Sequence, residues 1–453
     1  MKLPLKRSLY LLLLLCLGAG CESFLDEKPD KQQVVPATLT DFQALLDNHS
    51  IINHRDPTVG EISAGDFYLT DKDWAALSPE IYRRQYTWEA EEIFEPGSND
   101  WFYTYRPVYT ANTVLESISQ VERNPSNQEK WDNVKGQALF VRARAFLLAA
   151  TLWSAAYEAS TASTALGIPL RLGTDFSVPS TRATLQETFT QIITDLEAAA
   201  ALLPVEQVHP VRPSKAAAYA LLARTYLYMG DYRQVETYAD LALELHSDLT
   251  DFNDLQAKAP FPLSPESPEI IYRSIIGVPA PLNASRARID TALYNSYAAD
   301  DLRKVVYFRS NGDGTYRFKG SYEGSISLFS GIATDEVYLM RAEARAKLGK
   351  VEQAMDDLNT LLATRWKAGT FVPFTAASQQ EAVELIRRER RKELLMRNTR
   401  WMDIKRLNKE GAGITLTRQV NGQTYTLVPN DLRYALPIPE DVIALSGMQQ
   451  NPR

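Results

Sequence analysis

Residues 214–245, SKAAAYALLARTYLYMGDYRQVETYADLALEL, decide how this chain is read. Tyr219, Leu222, Ala223 and Tyr226 recur at helical spacing, Gly230 interrupts, and Tyr232, Val235, Ala239 and Ala242 resume it. Apolar residues three and four apart share one face of a helix, so the stretch is two helices joined by a turn at the glycine. Residues 334–365, TDEVYLMRAEARAKLGKVEQAMDDLNTLLATR, repeat the plan: Tyr338, Ala342 and Arg345, then Gly349, then Ala354, Leu358 and Leu361. The small Ala223 and Ala342 fall where paired helices must approach closely.

This spacing resembles the tetratricopeptide repeat, whose period is about 34 residues. Upstream, residues 100–121 are helical, with Trp101, Tyr105, Val108, Ala111 and Leu115 on the apolar side. Residues 131–157 form a long helix of alanines and bulky apolar residues. Residues 187–203 form another, closed by Pro204, which cannot continue a helix. These helices are candidates for further divergent repeats. Stacked helical repeats bury a continuous core between neighbours. Here they are interrupted, so one compact body is expected and not an open solenoid.

The texture between the two clear repeats differs. Residues 260–281 are proline-rich, and 270–276 and 305–308 are β-like runs. Ser310-Asn311-Gly312-Asp313-Gly314, between 305–309 and 316–319, reads as a hairpin turn. It is not a calcium loop, because the acid needed at the twelfth position from Asn311 is Tyr322. Ser378 and Glu381 form a capping box opening a helix through Ala382, Ile386 and Leu394. Glu389, Arg390 and Glu393 lie near its apolar stripe and are read as a structural ion network, since unpaired charge facing a core is costly. Asn398 offers a left-handed stop before a new segment at residues 400–406. The predicted class is mainly α: a tetratricopeptide-like helical-hairpin scaffold with a loop-rich insert holding short β-hairpins.

The N-terminus speaks for destination. Lys2, Lys6 and Arg7 precede a leucine-rich run at 8–17 and then Gly18-Ala19-Gly20-Cys21, the order of a secretory leader. Small residues directly before a cysteine mark a lipoprotein cleavage site. Residues 1–20 are therefore expected to be a signal peptide and Cys21 a lipidated first residue. Residues 22–35 read as a tether, 38–46 as a first short helix and 48–97 as irregular. The chain's two cysteines are Cys16 and Cys21, so removing the leader leaves one and rules out an internal disulfide. The whole chain carries 49 Lys+Arg and 56 Asp+Glu, a net charge of −7; without the leader the balance is 46 against 56, or −10. A surface this acidic is a poor partner for nucleic acid. The 22 tyrosines suit a carbohydrate- or peptide-binding surface and equally a large helical core.

Catalytic signatures are missing. The four histidines, His49, His54, His209 and His246, form no metal spacing, and no nucleophile elbow, phosphate loop or dinucleotide fingerprint occurs. No cofactor or metal is expected. A glycosidase's carboxylate pair is set by fold, so among 56 acids the sequence selects none.

Several segments together resemble the SusD/RagB family of surface nutrient-binding lipoproteins of Bacteroidota. They are Cys21-Glu-Ser-Phe-Leu-Asp-Glu-Lys-Pro29; Trp101, Tyr105, Tyr109 and Asn112 after Tyr86-Thr-Trp88; and Gly136-Gln-Ala-Leu-Phe-Val-Arg142-Ala143 with Gly167-Ile-Pro169. Further pieces are Arg212 through Asp231-Tyr232, Asp301-Leu-Arg303, Glu389-Arg390 through Glu393-Leu394, and Arg400-Trp401-Met-Asp403-Ile-Lys-Arg406. Leu436-Pro-Ile-Pro439 and Gln450-Asn451-Pro452 complete the set, and Arg397-Asn398 departs from the Glu-Gly usual before the Arg-Trp segment. The resemblance implies a single domain over 21–453, with an N-terminal part to about 205 and a repeat-bearing part from about 206. It also implies a non-enzymatic lid on a SusC-type TonB-dependent transporter, lipid-anchored on the outer face of the outer membrane, that captures oligosaccharide or peptide. A surface lipoprotein glycoside hydrolase is the competing reading. A periplasm-facing repeat protein is a third, opposed by the long insert at 250–330.

The family's ligand contacts lie on loops that no motif fixes. Candidate contacts are Asp66, Tyr68, Trp74 and Tyr82 in the irregular segment, with Tyr294 and Tyr297 before the Asp301–Arg303 turn. Trp88, Trp101 and Trp401 are assigned to the core.

Overall fold

Apolar periodicity becomes ten helices of eight residues or more among residues 36–453, which the computed structural model describes. They are α1 (Leu39–Leu46), α2 (Asp100–Ser117), α3 (Gln128–Trp153), α4 (Leu185–Leu202) and α5 (Lys215–Met229). Then come α6 (Tyr232–Leu245), α7 (Thr334–Lys347), α8 (Val351–Ala363), α9 (Gln379–Glu393) and α10 (Arg400–Lys409). The leader, Cys21 and the 22–35 tether lie outside the described residues.

Each helix from α2 to α8 packs on the next, and α9 folds back on α7. Local chemistry sets the breaks. The Ser214 hydroxyl accepts from the Ala217 amide at the start of α5, and Gly230 ends it at φ 79°. A side chain is disfavoured in that left-handed region, which is why glycine stands there. Thr184 and Glu187 form a reciprocal capping box on α4. Ala223 and Ala342 are fully buried at helix contacts, as their size requires. Although 246–333 intervene, α6 and α7 are direct neighbours, so the two clear repeats stack.

The insert folds back on this stack and builds a second core. Strand Ile270–Tyr272 pairs with Ile332–Ala333, and Ile275–Ile276 with Leu328–Phe329. Tyr86, Phe252, Tyr297, Tyr307, Phe318 and Tyr322 fill the core of this loop-rich half. The hairpin is Phe308–Ser310 with Tyr316–Phe318, its tip closed by Asp313 accepting from the Thr315 amide at 3.0 Å. Val305 is not in it. It belongs to the short helix Arg303–Val306, pinned there because Arg303 is buried in an ion cluster. Helix α3 also ends earlier than expected, at Trp153. In the Ser378 cap, Glu381 reaches the Ala377 amide at 2.7 Å instead of closing the box on Ser378.

The charges of α9 form the expected network, and it ties the two halves together. Arg303 contacts Asp301 (2.7 Å), Glu389 (2.6 Å) and Glu393 (3.0 Å). Arg365 bridges Glu393 and Glu269, both at 2.8 Å. The Tyr322 hydroxyl then joins Glu269 to Asp335, which Arg397 meets at 2.9 Å. Burial acts to raise the Glu389 pKa, but Arg303 and Lys392 outweigh it and hold the carboxyl below its ordinary value. A densely paired cluster of this kind specifies how its elements meet. Asn398 adopts the expected left-handed conformation at φ 58°.

One buried acid stands outside this pairing. Glu61 accepts from the Asn398 amide at 2.9 Å through one oxygen, and its other oxygen has no partner among the described residues. Burial, then repulsion from Asp66, pushes its pKa up to about 8. The unfolded chain releases this proton near its ordinary value while the folded chain keeps it. Stability therefore falls as pH rises from that ordinary value toward 8. Glu61→Gln, neutral throughout, is expected to stabilise the protein by about 1–3 kcal/mol at pH 7 and by almost nothing near pH 4. Denaturant unfolding at the two pH values measures this, and destabilisation at pH 7 would show that the carboxylate is ionised and used.

Candidate functional site: an aromatic cleft

Helix α2 presents Trp101, Tyr105, Val108, Tyr109 and Asn112 along one face, the spacing of successive helical turns. Instead of being wholly covered, this face floors an open cleft of about 660 Å³. Trp101 is buried in the core as expected, edge-on to Trp153 at 5.1 Å, yet its ring also packs on Tyr105 at 4.7 Å and lines the cleft.

The second wall is the loop at 170–181, between strands Leu166–Pro169 and Arg182–Thr184. Side chains hold it in place of secondary structure. The Asn112 amide donates to the Arg171 carbonyl at 2.8 Å and accepts from Arg142 at 3.1 Å. Arg142 is fixed in turn by both oxygens of Asp195, at 2.8 and 2.7 Å. Glu116 accepts from the Thr174 amide at 2.9 Å. The Arg171 guanidinium closes the loop on itself by donating to the Asp175 carbonyl at 2.6 Å and to the Val178 carbonyl. The Tyr105 hydroxyl donates to the Pro169 carbonyl at 3.0 Å, and burial raises its pKa. Val442, Leu445 and Met448, on and just after the short helix Glu440–Ser446, form the third wall.

Phe176, 79% exposed, stacks on Tyr109, 43% exposed, with centroids 5.1 Å apart and planes 26° from parallel. Exposed aromatic faces of this kind are unusual without a partner to cover them. No residue lining the cleft carries a carboxyl or an imidazole, so it has no acid–base pair. Among the described residues, no group of three or more His, Cys, Asp or Glu is disposed to hold a metal. No described helix is long and apolar enough to cross a membrane.

None of the six contacts expected from the sequence lines this cleft. Asp66 is buried and accepts from Arg391 at 2.8 Å. Tyr297 is buried and donates its hydroxyl to the Lys392 carbonyl at 2.8 Å. Both therefore anchor α9 and, being buried, present little surface to a ligand. The others sit in the loop-rich half. Tyr68 pairs with Arg288, whose guanidinium reaches Asp73 at 2.6 Å beside Trp74. Trp74 lies under Arg83, and Tyr82 is half-buried. Tyr294 stacks on Tyr316 at 3.6 Å. The sequence reading missed Tyr109 and Phe176 as site residues. Tyr109 could have been found as the outward neighbour of Val108 on α2, whereas Phe176 lies in a segment with no period.

The fold and its side-chain-held loop define an α-helical repeat scaffold with an open aromatic cleft. Residues 23–227 match a SusD-like family described as "Starch-binding associating with outer membrane", and residues 334–453 match the SusD family. The chain belongs to the SusD/RagB family. A SusD superfamily protein from Bacteroides thetaiotaomicron shares the fold at TM-score 0.74 and 21% identity, over 92% of this chain and 100% of that one. A SusD superfamily protein from Bacteroides vulgatus matches at TM-score 0.72 and 21% identity, over 92% and 99%. A SusD-like carbohydrate binding protein from the same species matches at 0.67 and 19%, over 90% and 96%. A search of curated proteins returns no match.

Proposed function

We propose that this protein captures oligosaccharides at the cell surface and hands them to a SusC-type TonB-dependent transporter. The single observation carrying the proposal is the open cleft in which Tyr109 and Phe176 expose stacked rings above Trp101 and Tyr105. Sugar rings present apolar C–H faces that pack on aromatic faces, while their hydroxyls need nearby polar groups. Ser180 and Ser446, among the lining residues, carry hydroxyls of that kind. Family membership supports the same role, since SusD-like proteins bind rather than catalyse. The carboxyl-free lining favours binding without turnover, because glycoside hydrolysis needs two acids flanking the scissile bond. In this reading Cys21 carries lipid and holds the protein at the outer membrane, facing outward, and 21–453 act as one unit.

Calorimetry of residues 22–453 against a panel of neutral oligosaccharides and peptides, with product analysis of the same samples, tests the proposal. Saturable binding of a glycan recovered intact is expected. Cleavage of the ligand, or binding of peptides alone, would overturn it.

A further inference from the structure

A second cleft, of about 480 Å³, opens in the loop-rich half and is lined by Lys258, Lys304, Arg309 and Lys319 together with Tyr294 and Tyr316. No acidic residue lines it. Among the described residues, none of these four cations has a carboxylate within 4.0 Å. The chain's net charge is −7, and several of its buried arginines, such as Arg303, Arg365 and Arg406, are matched with acids, whereas here four cations share one cleft without one.

Two of the four cations are held in place by neutral groups. The Lys319 ammonium donates to the Ala257 and Val305 carbonyls, both at 2.7 Å, which leaves its third N–H uncommitted. The Lys304 ammonium donates to the Tyr297 carbonyl at 3.0 Å and stands 5.0 Å from the Tyr294 ring centroid. Burial, then the charge of Arg309, lowers the Lys319 pKa, so the two cations feel each other. Holding like charges together without a counter-ion costs free energy, and a bound anion removes that cost. Beside them Tyr294 and Tyr316 lie nearly parallel, 14° apart, and line the same cleft.

We propose that this second cleft binds an acidic sugar residue, with its carboxylate or sulfate ester among the four cations and its ring against the tyrosine pair. The sugar part of this assignment rests on the glycan-capture reading above; the anion part rests on the unpaired cations.

The test is calorimetry of the intact chain from residue 22 with three probes. An oligogalacturonate carries carboxylates, a carrageenan oligosaccharide carries sulfate esters without carboxylates, and a maltooligosaccharide carries no charge. The wild type is compared with a Lys258→Gln, Arg309→Gln double variant, whose two positions are exposed and leave the carbonyl-bound Lys304 and Lys319 in place. One of the two acidic probes is expected to bind, to weaken with added salt and to lose about tenfold or more in the variant. Which one binds identifies the anion. Neutral-probe binding is expected to be the same in both proteins. Neither acidic probe binding, or equal binding by the variant, overturns the second cleft; with the neutral glycan still bound, glycan capture stands. Failure of all three probes overturns the second cleft, while glycan capture is decided by the neutral panel above.

Discussion

Arg303→Met is expected to destabilise the folded protein by about 3–5 kcal/mol, the usual cost of stranding one side of a buried ion cluster. Arg303 has no exposed surface and contacts Asp301, Glu389 and Glu393. Methionine fills most of the volume, so the loss is electrostatic more than steric. With Arg365 shared between Glu393 and Glu269, Lys392, 2.9 Å from Glu389 and 3.4 Å from Asp301, is left to balance two further carboxylates. The pH signature separates charge from packing. In the wild type, burial raises but Arg303 lowers the Asp301 and Glu389 pKa values, with a net downward shift. Their contribution is present above the ordinary carboxylate range and is lost as pH falls through the folded values. In the variant the acids can take up protons, so its deficit should shrink on acidification toward pH 5. A deficit independent of pH would mean that packing, and not the ion cluster, joins the halves. Arg123→Met, which breaks the exposed pair with Asp132, should barely move the unfolding midpoint.

The second large effect concerns binding. Tyr109→Ala and Phe176→Ala are each expected to weaken oligosaccharide binding about tenfold, and together by less than the roughly hundredfold that independent losses would give. Neither should alter the unfolding midpoint much, because both rings already face solvent. Their mutual stack means the two losses should not add perfectly, since removing one ring frees the other to move. Unchanged affinity in the double variant would move the site out of this cleft, with Tyr68, Trp74 and Tyr294 the next residues to test.

The helical hairpins were legible because their signal is local. A 3.6-residue apolar period, a Ser or Thr cap and a glycine at the turn each act within a few residues, as at Ser214 and Gly230. The ion cluster was legible in part, because charge beside an apolar stripe demands partners; the partners Arg303 and Arg365 were not, being 90 and 28 residues away from Glu393. The hairpin Leu416–Val420 with Gln423–Leu427 carried a readable sign, Asn421-Gly422 at φ 51° and 72°, which the sequence reading passed over. The cleft was illegible for a different reason. Its loop takes its shape from Asn112 and Glu116, 59 and 58 residues from the groups they bind, so nothing near Phe176 announces where its ring goes. Asp66 and Tyr297 show the converse: a polar or aromatic residue in an irregular stretch looks available until its buried partner is known.

Hydrogen exchange of the protein with and without the neutral oligosaccharide identified by calorimetry tests the central claim most directly. The account predicts protection confined to residues 105–112, 171–180 and 442–448, on the three walls of the aromatic cleft. Protection across 66–82 or 294–316 with none at the cleft would contradict it.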